Sequence, residues 1–205
     1  MKKTVPKAVV FDLGKVLLDF DFGIFARRCA PYSRMESTAF LEVVNQSPLL
    51  HRYESGLMTD QQFYESVVAL TGFTGTMETF AEWFGAIFTP IAEMVELHQL
   101  LVARGIPTFV FSNTNGLAIR SVRKDFPFYR TFTGEILSYE IQSMKPAPPI
   151  YEALEALTGL RGEELLYLDD RSENVEAGGQ RGWTAWIHSD PTVTVPRVLS
   201  LWDSV

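Results

Sequence analysis

Acidic and small polar side chains stand directly after three short apolar runs of this 205-residue chain. Asp12 follows the first run, Ser112 and Asn113 follow the second, and Asp169 and Asp170 follow a third. A single Asp in such a place usually caps a turn or a helix. If the runs are neighbouring parallel strands, however, their carboxyl ends lie side by side, and we expect the three groups to converge on one spot.

Three carboxylates in one place would need a compensating charge. Two like charges about 4 Å apart repel by roughly 4 kcal/mol at an effective dielectric constant of 20, so the cluster predicts a bound proton or cation. A ligand set of oxygens without His or Cys favours Mg²⁺ over zinc. Lys145 offers a positive charge later in the chain, although by itself it is equally typical of a solvated loop lysine.

The runs themselves predict a parallel sheet. They are four to eight residues long and do not alternate in polarity, which is typical of strands covered on both faces. The clear runs are 8–11, 108–111, 165–168 and 184–187, with a weaker one at 132–137. Helical patterns over 91–103, 150–157 and 174–181 separate the later runs. The fold class predicted is therefore α/β, a Rossmann-like, doubly wound parallel sheet.

The stretch between the first strand and residue 91 has a different pattern. It carries four helical signals and no convincing strand, with Asp21 as a helix cap and capping boxes beginning at Ser33 and Thr59. We predict a core formed by residues 1–18 and 91–205 and a small helical cap, residues 19–90, inserted after the first strand. At the carboxyl edge of the sheet, such an insertion would act as a lid.

Composition narrows the class of protein. The formal charge of −7 argues against a nucleic-acid partner, and 46% hydrophobic residues with 21% charged residues argue against disorder. No apolar run approaches the roughly 20 residues that span a membrane. Cys29 is the single cysteine, so neither an internal disulfide nor a cysteine-based zinc site is expected. We expect a soluble, cytoplasmic protein.

Four segments carry a resemblance to a known family. They are Phe-Asp-Leu-Gly-Lys-Val-Leu at 11–17, Phe-Ser-Asn-Thr-Asn at 111–115, Lys-Pro at 145–146, and Leu-Asp-Asp-Arg-Ser-Glu-Asn at 168–174. In this order they resemble the four motifs of the haloacid dehalogenase (HAD) superfamily. The likeness is strongest to the small-capped sugar-phosphate phosphatases and to the phosphatase domain of soluble epoxide hydrolases. It implies a Rossmann-like core with an inserted helical cap, as the pattern also predicts.

The resemblance implies a role for each acidic residue. Asp12 matches the nucleophile that attacks phosphorus and becomes an aspartyl phosphate. The Asp12 carboxylate, the Gly14 carbonyl and Asp170 match the protein ligands of Mg²⁺. Asp169 matches an acidic neighbour that holds a metal-bound water.

It also implies a phosphate-binding set. The Ser112 hydroxyl and the Asn113 backbone N–H match the groups that clamp the phosphoryl oxygens. Lys145 matches the lysine that offsets phosphoryl charge and orients the nucleophile, the kind of positioning on which phosphoryl transfer depends. Asn174 falls within the fourth motif, but a polar residue at a helix start explains it equally well.

Gly14 departs from the family pattern. Most phosphatases of the superfamily have there a second Asp that acts as general acid and base, a contribution typically worth about 100- to 10,000-fold. Lys15, His51 and His188 are candidate substitutes, although each is more typical of a structural or solvated residue.

These observations predict a Mg²⁺-dependent phosphatase of a small phosphorylated metabolite, such as a sugar phosphate. Two alternatives stay open at this point. A 2-haloacid dehalogenase would use the same Asp on carbon without metal, but it would have no use for Asp169 and Asp170 together. A catalytically weak, phosphatase-like binding protein is compatible with Gly14.

Overall fold

The computed structural model of the protein describes residues 5–202. The strands are β1 (Ala8–Phe11), β2 (Leu18–Phe20), β3 (Phe88–Pro90), β4 (Thr108–Ser112), β5 (Gly134–Leu137), β6 (Leu165–Asp169) and β7 (Thr184–Ile187). The helices are α1 (Phe22–Cys29), α2 (Ser37–Val44), α3 (Pro48–Glu54), α4 (Asp60–Thr71), α5 (Met77–Gly85), α6 (Ala92–Ala103), α7 (Gly116–Asp125), α8 (Ser138–Ile141), α9 (Pro148–Thr158), α10 (Ser172–Gln180) and α11 (Pro191–Leu199). Short 3₁₀ segments connect some of them.

Five of the strands form one parallel sheet in the order β5-β4-β1-β6-β7. The strand that begins the sequence, β1, lies at its centre, between β4 and β6. Every residue of β1, β4 and β6 is buried. This complete burial explains why the runs show no alternation of polarity.

Helices cover both faces of the sheet. Val9 and Phe11 point into a core shared with α6, α7 and α11. Ala8 and Val10 point to the opposite face, into a core shared with α9. The predicted fold class, a doubly wound α/β sheet, is confirmed.

The segment between β1 and α6 is mainly helical and has its own aromatic core. Phe25 of α1 packs edge-on against Phe80 and Phe84 of α5, with ring centroids 5.0 and 5.3 Å apart, and Phe63 of α4 contacts the same group. All four side chains are fully buried. This cluster is separate from the two cores of the sheet, except that Leu117 and its neighbour in α7 contribute to it.

Several details of this segment differ from the sequence prediction. It contains a fifth helix, α3, and a short antiparallel pair, β2 and β3, where the chain leaves and rejoins the core. The capping box at Thr59 is confirmed, but the one at Ser33 is wrong. Ser33 Oγ bonds instead to the carbonyls of Ala30 and Met35, and α2 begins at Ser37.

None of the helices in the described residues is long and apolar enough to cross a bilayer.

Candidate active site

The sheet brings the acidic residues of the sequence motifs together. Asp12 directly follows β1, and its backbone N–H donates to the carbonyl of Leu168 at 2.9 Å, which ties the ends of β1 and β6 to each other. One carboxylate oxygen from each of Asp12, Asp169 and Asp170 lies within 4.8 Å of the other two. The predicted convergence of the three carboxylates is therefore present.

Lys145 lies between two of these carboxylates. Its ammonium nitrogen is 2.9 Å from Asp12 Oδ1, 2.6 Å from Asp169 Oδ2 and 2.7 Å from the carbonyl oxygen of Phe111. The side chain is 1% exposed. Burial alone would lower the pKa of Lys145, but the negative charges of Asp12 and Asp169 raise it, so the ammonium stays charged.

Asn113 holds the backbone that carries this lysine. Its side-chain amide donates to the Lys145 carbonyl at 3.0 Å, and its Oδ1 accepts the Lys145 backbone N–H at 2.8 Å. The loop after β4 and the loop after α8 are thus joined at the site. The motif resemblance implied a role for the backbone N–H of Asn113, but it did not indicate this bridging role of the side chain. The buried Ser112 hydroxyl lies beside it.

Asp169 is fully buried and accepts several hydrogen bonds besides the one from Lys145. Tyr167 Oη donates to its Oδ2 at 2.5 Å, the Arg171 backbone N–H donates to Oδ1 at 2.9 Å, and Asn174 Nδ2 lies 3.0 Å from Oδ1. Burial opposes ionisation, but Lys145 and these donors lower the pKa of Asp169. Asn174 therefore orients an acidic residue of the site, beyond its place at the start of α10.

The other two carboxyl groups are harder to ionise. Burial raises the pKa of Asp12 from 3.8 to about 7; Lys145 opposes this rise, while Asp169 and Asp170 add to it. Burial, followed by the charge of Asp169, also raises the pKa of Asp170. One ammonium balances only one of three negative charges here. The surplus negative charge and the all-oxygen donor set fit a hard divalent cation such as Mg²⁺.

Gly14 has a confined position beside this cluster. A Cβ atom there would lie 2.8 Å from Cε1 of Phe20. Its φ is outside the left-handed region, whereas the next residue, Lys15, has a φ of +59°. A side chain at this position would therefore require the Phe20 ring to move, but it would not strain the backbone.

Two of the three residues considered as replacements for an acid at position 14 make other contacts. The Lys15 ammonium forms an ion pair with Asp19 and lies over a neighbouring aromatic ring. His188 is buried and bonds through Nδ1 to Thr194 Oγ1 at 2.8 Å. His51 is exposed on α3.

Glu54, the last residue of α3, was not singled out from the sequence. Ser138 Oγ donates to its carbonyl oxygen at 2.6 Å and accepts the Thr114 backbone N–H at 2.9 Å. The next residue, Ser55, bonds through Oγ to Met144 Sδ at 3.0 Å. The end of α3 is thereby fixed between the loop after β4 and the loop that carries the lysine.

The Glu54 carboxyl group lies within electrostatic range of Asp12. Burial raises its pKa to about 8; Arg171 opposes the rise, and the charge of Asp12 adds to it. Ser47-Pro48, an N-cap followed by proline at the first helical position, is a sequence signal for the start of α3, but it does not mark Glu54 itself.

Comparison with known proteins agrees with this fold. Residues 6–182 match the family model of the haloacid dehalogenase-like hydrolases. The chain belongs to this family and is a hydrolase, as the motif resemblance predicted.

Several known proteins are similar over most of their length. A D-ribitol-5-phosphate phosphatase from Bacteroides thetaiotaomicron is 25% identical over 185 residues, covering 86% of this chain and 89% of the relative. A HAD family enzyme from the same organism, crystallised with magnesium and inorganic phosphate, superposes with a TM-score of 0.78 at 21% identity, covering 90% and 94% of the two chains. A predicted HAD-like family hydrolase from Porphyromonas gingivalis superposes with a TM-score of 0.82 at 21% identity, covering 97% and 98% of the two chains.

Proposed function

We propose that this hydrolase is a Mg²⁺-dependent phosphatase that cleaves a small phosphorylated metabolite through an aspartyl phosphate on Asp12. The observation that carries the proposal is the cluster of Asp12, Asp169 and Asp170 around Lys145 at the carboxyl edge of the sheet. Its relatives include a D-ribitol-5-phosphate phosphatase and an enzyme crystallised with magnesium and phosphate, which favours a sugar or polyol phosphate as substrate.

Asp12 is the proposed nucleophile. It stands at the end of the central strand, and Lys145 holds its carboxylate at 2.9 Å, which orients the group for attack on phosphorus. The second carboxylate on Lys145, that of Asp169, also holds the ammonium, at 2.6 Å. In this arrangement Lys145 both positions Asp12 and offsets the negative charge of the phosphoryl group.

Asp12, Asp170 and the carbonyl of Gly14 would hold the Mg²⁺ ion, with Asp169 contributing through a bound water. When bound, the ion supplies positive charge that draws the phosphoryl oxygens towards the nucleophile.

Ser112 and Asn113 complete the proposed site. The Ser112 hydroxyl and the Asn113 backbone N–H would donate to the phosphoryl oxygens from the end of β4. The Asn113 side chain keeps the lysine loop at a fixed distance from this clamp, because it bonds to both backbone groups of Lys145.

Residues 19–90 are proposed to form the cap, and residues 1–18 and 91–205 the catalytic core. The cap has its own aromatic core and contacts the loops of the site through the end of α3. These contacts support a role for the cap in excluding water and in selecting the substrate by what lies beyond the phosphate.

The test is phosphate release from a panel of sugar, polyol and acyl phosphates, first with Mg²⁺ and then with a chelator. We expect turnover of part of the panel that is lost with the chelator and lost in Asp12→Asn. The matched control is Asp125→Asn, which makes the same change at an exposed residue at the end of α7. Metal-independent halide release from 2-haloacids would favour the dehalogenase alternative, and no turnover would favour a binding protein.

A further inference from the structure

The reaction proposed above needs a proton donor that the loop after β1 does not supply. Gly14 has no side chain, and the ring of Phe20 fills the adjacent space. Lys15 and His188 are engaged with Asp19 and Thr194. An alkoxide leaving group is very unstable in water, so a donor elsewhere in the site would have a large effect on the rate.

Glu54 lies where the helical segment contacts the core, beside the loop after β4. Its backbone is fixed to the core by the Ser138 hydroxyl, which also holds the backbone of Thr114, two residues after Ser112. Gly56 makes this close approach feasible: a Cβ atom there would lie 2.2 Å from the carbonyl oxygen of Tyr139. The contact between α3 and the core therefore fixes the backbone position of Glu54.

The Glu54 carboxyl group has no structural task that accounts for this position. Within residues 5–202 its oxygens make no hydrogen bond or ion pair, although the residue is half-buried. Its electrostatic neighbours are Asp12 and Arg171. A pKa raised by burial to about 8 keeps the group protonated at neutral pH, and the nearby guanidinium favours the carboxylate once the proton has left.

We propose that Glu54 is the general acid and base of the site, in place of the side chain that Gly14 lacks. This assignment rests on the proposed phosphatase function.

In the first step an oxygen of the Asp12 carboxylate bonds to phosphorus. The bond from phosphorus to the leaving oxygen breaks, and that oxygen takes the proton of Glu54 to leave as an alcohol. In the second step water attacks the aspartyl phosphate and gives a proton to the Glu54 carboxylate. The bond between phosphorus and Asp12 then breaks, so phosphate is released and both side chains return to their starting states.

The test compares Glu54→Gln with Glu82→Gln, a control at an exposed residue of α5 in the same helical segment. Glutamine resembles the protonated acid in shape and charge, so the fold should be retained. Single-turnover formation of the aspartyl phosphate is followed with p-nitrophenyl phosphate, whose leaving group needs no proton, and with the best alkyl phosphate of the panel.

For Glu54→Gln we expect the alkyl phosphate to lose about 100- to 10,000-fold in this step, while p-nitrophenyl phosphate loses less than about tenfold. With p-nitrophenyl phosphate the second step then lacks its base. The variant should release one equivalent of p-nitrophenolate per protein in a burst and accumulate aspartyl phosphate. Glu82→Gln should behave as the wild type.

Equal losses for both substrates without a burst would overturn the assignment, because they would indicate a structural role only. A second test uses the wild type alone. Its phosphorylation rate should depend weakly on leaving-group pKa, and a steep dependence would equally overturn the assignment. A wild type inactive on every phosphate would instead refute the proposed phosphatase function, and this assignment with it.

Discussion

Replacing Asp12 by Asn should stabilise the metal-free protein at alkaline pH. Burial gives Asp12 a pKa of about 7 in the folded protein, against 3.8 ordinarily. The wild type must therefore ionise a buried carboxyl group as the pH rises through this range, whereas an amide has no proton to lose. A carboxyl group whose pKa is raised by folding contributes stability below its ordinary pKa, and this contribution is lost as the pH rises to the folded value.

The size of the effect follows from the same values. Each pH unit between the ordinary and the folded pKa costs the wild type about 1.4 kcal/mol. From about pH 5 to the folded value near 7, the free energy of unfolding of Asp12→Asn relative to wild type should rise by about 2 to 3 kcal/mol. Above that pH the difference should stay constant. Lys145 keeps Asp169 and the Phe111 carbonyl as partners in the variant.

The assay is urea unfolding in the presence of a chelator at about pH 5 and pH 8, with Asp125→Asn as control. Groups away from the site titrate alike in both proteins and cancel in the comparison. A difference that does not change with pH, or a variant less stable than wild type at pH 8, would refute the argument that Asp12 is held in a site that disfavours its charge.

Three further outcomes are expected. Asn113→Ala removes both hydrogen bonds to the Lys145 backbone. We expect the free energy of unfolding, measured with urea, to fall by about 1 to 3 kcal/mol and kcat, measured by steady-state kinetics, to fall as well. Gly56→Ala places a methyl group 2.2 Å from the Tyr139 carbonyl at a φ of +70°, so it should destabilise the protein by more than about 1 kcal/mol and lower activity together with it. Mg²⁺ at about 100 times its Kd should raise the unfolding free energy of the wild type by about 2.7 kcal/mol, and a thermal shift that does not depend on Mg²⁺ would contradict a metal site.

Much of the sheet could be predicted because its three central strands are buried on both faces. The apolar run that forms β1 ends at Asp12 in the structure as in the sequence, and the convergence with Asp169 and Asp170 follows from the parallel pairing. The helix caps at Asp21 and Thr59 were also predictable, because they depend on hydrogen bonds within a few residues of sequence.

The remaining features depend on contacts between distant residues. Strands β2 and β3 are three residues each and pair across the whole helical segment, so neither has a local signal. Ser33 has the sequence of a capping box but bonds to nearby carbonyls instead. Glu54 could not be identified because its pKa is raised by burial in the folded protein and by the charge of Asp12, and no pattern in the sequence specifies either.

The central claim, that Asp12 carries the phosphoryl group during turnover, has a direct test. The wild type is mixed with an excess of its best substrate and Mg²⁺, quenched in acid within the first turnovers, and digested for mass spectrometry. The proposal predicts a phosphoryl group on the peptide that contains Asp12, located at that residue and missing in Asp12→Asn. Phosphate release without any label on Asp12, or a label on another residue, would contradict it.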